Sequence, residues 1–276
     1  MTTQYDIRFA IDPVTAAGLG TEELRENFLI EDLFALGEVR WTYSHYDRMA
    51  VGSAVPGEGS LALEPIKPTG TGAFLERREM IVVNIGEPGS ISVDGQDHAV
   101  GSRDMLYIGM GAKDVRFAGN GAKYYLLSAP AHARYPTTLL QQSGAKRLDL
   151  GSNATANERS IFQYVNADSV KTCQLVVGLT QFAPGSVWNT MPAHVHDRRM
   201  EAYLYFDLQP DAFVMHLMGE PQETRHLIVR NEEAVLSPPW SVHAGAGTGA
   251  YTFIWAMAGD NVDYTDVDKV AMEDLR

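Results

Sequence analysis

Residues 188–207 read Trp188-Asn189-Thr190-Met191-Pro192-Ala193-His194-Val195-His196-Asp197-Arg198-Arg199-Met200-Glu201-Ala202-Tyr203-Leu204-Tyr205-Phe206-Asp207. In an extended chain, residues two apart share a face, so His194 and His196 aim both imidazoles to one side. Glu201 has the opposite parity. A bulge or tight turn within Asp197–Met200 returns it to the histidine side, and Tyr203 and Tyr205 then share its face. His243 closes Pro238-Pro239-Trp240-Ser241-Val242-His243, a segment reached two strands or more later. An isolated H-x-H is usually idle. The carboxylate and the third imidazole turn it into a ligand set of three His and one Glu, suited to a divalent first-row metal with room for water or substrate. A β-barrel interior is where side chains so far apart in sequence can meet.

The chain around this stretch is rich in strand signals. Short runs of β-branched and aromatic residues lie at Glu38–Ser44, Met49–Val55, Glu79–Ile85, Ser90–Val93, Asp104–Ile108, Asp114–Phe117 and Lys123–Ser128, and resume at Thr172–Phe182, Ala202–Asp207, Ala212–Met218, His226–Arg230, Ala234–Ser237 and Tyr251–Met257. Turn signals recur every 8–12 residues or so, and Asp94-Gly95 between two apolar runs predicts a hairpin. The reading is all-β: a duplicated β-barrel with a short N-terminal helix. Thr21 is the expected N-cap of that helix, with Glu22 and Glu23 in its first turn, Leu24 and Phe28 on one face, and Gly37 as its stop. The expected division is a helical segment over 1–36, a first barrel over 37–130, a connector over 131–170 and a second barrel over 171–276.

The two halves echo each other. Glu76-Arg77-Arg78-Glu79 parallels Asp197-Arg198-Arg199-Met200-Glu201, but the first half has no H-x-H, and Asp114 stands near where its last histidine would fall. The first barrel is therefore expected to hold no metal. His45, His98, His132, His216 and His226 lack such partners and read as core or surface histidines. Cys173 reads as an inert apolar residue. The Arg198-Arg199 pair either holds a substrate carboxylate by paired hydrogen bonds or forms an exposed or intersubunit salt bridge; for the carboxylate Arg199 is the first choice, with Tyr203 facing the substrate beside it.

Composition bounds the function. The chain has 276 residues and a formal net charge of -13. Such a surface repels nucleic acid and anionic membranes, so an anionic small molecule would need a local cationic pocket. One cysteine permits no intrachain disulfide, which fits a reducing compartment. The acidic N-terminal stretch is unlike a leader peptide, and no apolar run approaches a membrane span. A cytoplasmic protein is expected.

The H-x-H-x4-E pattern with a later P-x4-H resembles the cupin superfamily of metal-holding β-barrels. Gly185 lies further upstream of the first histidine than in the usual cupin motif, and Trp240 stands where glycine is usual. A closer resemblance runs through Tyr43-Ser44-His45 with Asp47-Arg48, Phe74 to Glu79, Trp188 to Pro192, His196 to Glu201 and Met218-Gly219-Glu220-Pro221-Gln222-Glu223-Thr224-Arg225-His226. On these the chain is similar to the 5-dehydro-4-deoxy-D-glucuronate isomerase (4-deoxy-L-threo-5-hexosulose-uronate ketol-isomerase) family of pectin and uronate breakdown. The resemblance implies a pair of cupin-like barrels (a bicupin), zinc on His194, His196, Glu201 and His243, a homohexamer, and an anionic sugar-acid substrate. Residue chemistry alone leaves a cupin dioxygenase and a non-catalytic sugar-acid binder open. It does not select zinc over other divalent metals, and it names no proton-carrying base.

Overall fold

The computed structural model describes residues 2–276. Strands dominate, as the short apolar runs predict, and the chain divides into two compact units. One comprises the strand Thr2–Arg8 with Asp32–Ala145 and Tyr164–Val176; the other comprises Phe9–Glu31, Lys146–Gln163 and Val177–Arg276.

In the first unit a seven-stranded sheet runs, in spatial order, Thr2–Arg8, Glu38–Ser44, Ala50–Ala54, Tyr124–Pro130, Arg78–Asn84, Met105–Ile108 and Thr138–Leu140. A four-stranded sheet runs Gly57–Ala62, Val115–Gly119, Gly89–Val93 and Gln96–Val100. Val93 pairs with Gln96 around Asp94-Gly95, which take φ of 49° and 86°, the left-handed pair that a two-residue hairpin requires. The inward apolar residues of both sheets, Trp41, Met80, Ile91, Phe117 and Leu126 among them, form one continuous core with Phe74 and Leu75 of the loop before Arg78–Asn84.

The second unit repeats the plan. Its larger sheet runs Lys146–Leu150, Arg159–Val165, Val176–Phe182, Thr252–Gly259, Arg199–Phe206, Glu233–Ser237 and Leu29–Ile30. Its smaller sheet runs Trp188–Asn189, Ala244–Gly247, Val214–Glu220 and Glu223–Val229. A two-stranded ribbon pairs His194–Val195 with Asp268–Lys269.

Four expectations are corrected. The segment over 1–36 is not simply helical. It opens with a strand, Thr2–Arg8, parallel to Glu38–Ser44, and carries two short helices, Pro13–Ala17 and Thr21–Phe28. The second helix is capped by Gly20, whose N–H donates to the Glu23 carboxylate at 2.8 Å, so Thr21 is its first residue and not its cap. The helix also stops before Gly37. Leu29 and Ile30 are buried, and their backbone groups find partners opposite Val235 and Ala234 in the second unit's sheet. Leu24 and Phe28 are buried on the inner face, as their spacing predicts. Finally, the stretch over 131–170 is not one connector. Thr138–Leu140 adds to the first large sheet opposite Met105–Tyr107, while Lys146–Leu150 and Arg159–Val165 add to the second.

Candidate metal centre

The turn that the parity argument requires is present. His194–Val195 is a two-residue strand, Asp197 and Arg198 form a turn closed by the Arg199 N–H donating to the His196 carbonyl at 3.2 Å, and Arg199–Phe206 resumes as a strand. That turn restores Glu201 to the histidine side. Ser237, opposite Glu201 across the sheet, ends its own strand, and six residues later His243 directly precedes the strand Ala244–Gly247.

One ligand atom from each of His194, His196, Glu201 and His243 lies within 4.8 Å of all the others. The His243 Nε2 is 2.9 Å from the His194 Nε2. The Glu201 Oε2 is 3.0 Å from the Nε2 of both His196 and His243. Hydrogen-bond partners decide which nitrogens carry protons. The His196 Nδ1 faces the Asp266 carbonyl at 3.1 Å, and the His243 Nδ1 faces the Ser241 carbonyl at 3.4 Å and the Ser237 Oγ at 3.3 Å. A carbonyl only accepts, so each Nδ1 carries a hydrogen, which leaves each Nε2 as the nitrogen that would face a bound ion. Burial, with His243 beside it, pulls the His194 imidazolium down to about 3, so its ring is neutral at neutral pH. Burial by itself would push the Glu201 carboxyl up, but His243 and His196 hold it well below the usual carboxylate range. Three ring nitrogens and a carboxylate thus converge at one place. Such a set fits a divalent cation, with outer partners already orienting the rings.

A cavity of about 390 Å³ opens onto this set, lined by His194, His196, Glu201 and Tyr203 together with Asn189, Thr190, Thr180, Phe253, Trp255 and Met257. The opposite wall is Tyr264, Thr265, Val267 and Lys269 from the tail, with Leu150, Arg159 and Ile161 from the strands before it. His243 lies behind the other ligands, 1% exposed. Tyr203 is buried and donates to Glu201; burial, and then the Glu201 charge, raise its phenol well above the ordinary value, so it stays protonated. The next tyrosine on that face, Tyr205, pairs with the His216 Nδ1 at 2.7 Å, and burial pulls His216 down to about 3. His216 therefore belongs to the core beside the site and outside the ligand set.

Arg199 is placed differently from the reading that made it a carboxylate anchor. It is fully buried, is absent from the cavity lining, and donates to the carbonyls of Asp263 (2.6 Å) and Asp266 (2.5 Å). At the start of the strand it meets the tail before it meets the cavity. Arg198 pairs with Asp266 at 2.6 Å and Asp268 at 2.8 Å. The two arginines together strap 263–268 across the site, and the Asp266 carbonyl that Arg199 holds is the one that orients His196. Sequence reasoning also missed Arg159 and the tail wall. A lone Arg at a strand start and an acidic tail carry no local pattern that marks a site.

Comparisons with known proteins bear on this geometry. Residues 29–274 match the model of the KduI/IolB family. The 4-deoxy-L-threo-5-hexosulose-uronate ketol-isomerase 2 of Rhizobium meliloti (strain 1021) is 63% identical over 276 residues, covering 99% of this chain and 98% of the relative. The ketol-isomerase of the same name from Cereibacter sphaeroides (strain ATCC 17029 / ATH 2.4.9) is 61% identical over 274 residues, 99% of this chain and all of the relative. Among solved structures, an IolB-like protein from Salmonella typhimurium LT2 superposes with a TM-score of 0.75 at 16% identity, covering 88% of this chain and 97% of that one. The oxalate decarboxylase of Lactobacillus farciminis gives 0.56 at 9% identity over 81% of this chain and 79% of that one. These structural likenesses speak to fold, and the fold is the all-β cupin type.

Proposed function

The chain belongs to the KduI/IolB family, and from that membership we propose that it is a metal-dependent aldose–ketose isomerase converting 5-dehydro-4-deoxy-D-glucuronate to 3-deoxy-D-glycero-2,5-hexodiulosonate in uronate catabolism. The observation that carries the reading is the convergence of His194, His196, Glu201 and His243 on the wall of a cavity of about 390 Å³.

The reaction moves a carbonyl from C1 to C2, a proton from C2 to C1 and the hydroxyl proton from O2 to O1. His194, His196, Glu201 and His243 would hold the ion, zinc by the family resemblance. When bound, it supplies Lewis-acid stabilisation of the charge that gathers on the two reacting oxygens, worth several kcal/mol. The chain's own groups do the rest. Glu201, kept anionic, is the carboxylate at the cavity wall, and Tyr203 supplies a protonated phenol hydrogen-bonded to it. Phe253, Trp255 and Met257 line the same space with apolar surface that excludes water. Arg199 enters as a residue that positions the tail and His196.

The same resemblance supports a homohexamer working in the cytoplasm, an assembly size that light scattering on the purified protein measures directly. No helix among the described residues is long and apolar enough to cross a membrane.

The test of the reaction is incubation with 4-deoxy-L-threo-5-hexosulose uronate in D₂O, followed by NMR with and without chelator. The expected result is conversion with deuterium at the new hydroxymethyl carbon, which is C1 of the substrate and C6 of the product, abolished by metal removal and restored by zinc. No conversion by the metal-loaded protein, or oxygen uptake in its place, overturns the reading.

A further inference from the structure

We propose that Arg159 recognises the carboxylate of the substrate and makes the site selective for sugar acids over neutral sugars. The inference rests on the isomerase reading for its substrate class and adds the residue that reads the acid group.

With a formal net charge of -13, the chain repels an anion except where a cation stands unneutralised. Most cations near the cavity are spent. Arg198 is paired with Asp266 and Asp268, and Arg199 is occupied by two carbonyls. Arg159 is different. It is the first residue of the strand Arg159–Val165, opposite Leu150, and both residues line the cavity that His194, His196 and Glu201 line. Its Nη1 donates to the Asn157 carbonyl at 2.8 Å, which fixes the guanidinium without neutralising it. Its Nε is enclosed and has no hydrogen-bond partner, and no carboxylate pairs with it among the described residues. A half-buried guanidinium with a shielded Nε and no counter-charge gains more from an incoming carboxylate than a fully hydrated one would.

Lys269 is the other cation on the lining, but it is exposed, at the rim, on the strand that pairs with His194. Its hydrated ammonium competes with solvent and is the built-in comparator.

The experiment compares the uronate with its C6 methyl ester. Calorimetry gives the Kd of each, and initial rates give kcat and KM, for wild type, Arg159→Gln, Arg159→Lys and Lys269→Gln, all metal-loaded. Wild type should prefer the acid by about 10- to 150-fold, the factor equivalent to one hydrogen bond between charged groups. In Arg159→Gln that preference should fall to near one, mainly through KM, with metal content unchanged. Arg159→Lys should keep part of it, and Lys269→Gln nearly all. A wild-type acid-to-ester ratio in either Arg159 variant overturns the proposal, and the Lys variant decides the matter if Gln does not fold. Turnover with an Arg159-independent ratio removes this inference and leaves the isomerase reading. Arg159-dependent preference in binding without turnover does the reverse.

Discussion

The strand Arg78–Asn84 of the first unit and Arg199–Phe206 of the second occupy the same place in their sheets. Each begins with an arginine opposite the last residue of one neighbouring strand (Pro130 and Gly259), and each places its next same-face residue opposite the last residue of the other (Ile108 and Ser237). At that same-face position the second unit has Glu201 and the first has Met80, which is packed into the hydrophobic core. The first unit's glutamate, Glu79, is one residue earlier. It therefore points to the other face, where it accepts from the Tyr107 hydroxyl at 3.0 Å and from the backbone N–H groups of Cys173, Gln174 and Leu175 at 2.7, 2.8 and 3.1 Å. The same carboxylate shifted by one residue becomes a clamp on a neighbouring turn, because strand parity flips every side chain.

The rest of the contrast follows that pattern. Asp114 directly precedes the strand Val115–Gly119 as His243 precedes Ala244–Gly247, yet Asp114 is exposed and paired with Arg116 at 3.0 Å. Phe74 and Leu75 precede Arg78–Asn84 roughly as the histidine pair precedes Arg199–Phe206, and both are 1% exposed in the core. Each barrel sets an indole against a glycine, Trp41 over Gly52 and Trp255 over Gly178, where any Cβ would overlap the ring. Trp41 then stacks on Phe74 at 4.4 Å and fills its barrel, whereas Trp255 donates to the Thr180 Oγ1 at 3.1 Å and lines a cavity. One plan thus gives a filled barrel whose interior contributes stability and an open one whose interior can hold an ion.

The comparison can be tested at three places. The largest effect is expected for His243→Ala, which opens the ligand set of the second barrel. Metal bound per chain should fall to near zero and turnover by at least about 10³-fold, since the Lewis-acid contribution is several kcal/mol. Metal analysis and rate measurement on the same preparation check it, and retained metal would break the contrast. Next is Phe74→Ala in the filled barrel. Removing a buried ring that stacks on Trp41 should cost about 3–5 kcal/mol of unfolding free energy, read by denaturant titration, while kcat per folded molecule stays at the wild-type level. A specific loss of kcat would mean that the first barrel does more than support.

The smallest effect is expected for Arg198→Ala, which loosens the strap over the open barrel. Arg198, and then Asn261, hold the Asp266 carboxyl below its ordinary value of 3.8. A lowered carboxyl contributes stability above its unfolded pKa and loses it as pH falls through the folded one. Hydrogen exchange over 261–269 should therefore stay slow in wild type until strongly acid pH, and be faster already at pH 7 in Arg198→Ala. Equal protection in the two proteins at pH 7 would show that the Arg199 bonds to the Asp263 and Asp266 carbonyls hold the strap alone.

Much of this was legible in the order of residues. Alternating apolar runs with turn signals between them point to strands because the period of two is a local property. The chemistry of a His-His-Glu-His set is likewise carried by residue type and parity, down to the turn needed between His196 and Glu201. Other features depended on partners distant in sequence. Whether Leu29-Ile30 continued the helix or paired as a strand was decided by an open edge at Glu233–Ser237. Whether Arg199 reached a substrate or the backbone was decided by where 263–266 crossed the strand's end. Arg159 became a cavity residue only when its strand joined the sheet of the second unit, and among the described residues the fold pairs no carboxylate with it. A residue's type and period travel with the chain, but its counter-charge and its solvent are supplied by neighbours that only the folded state brings near.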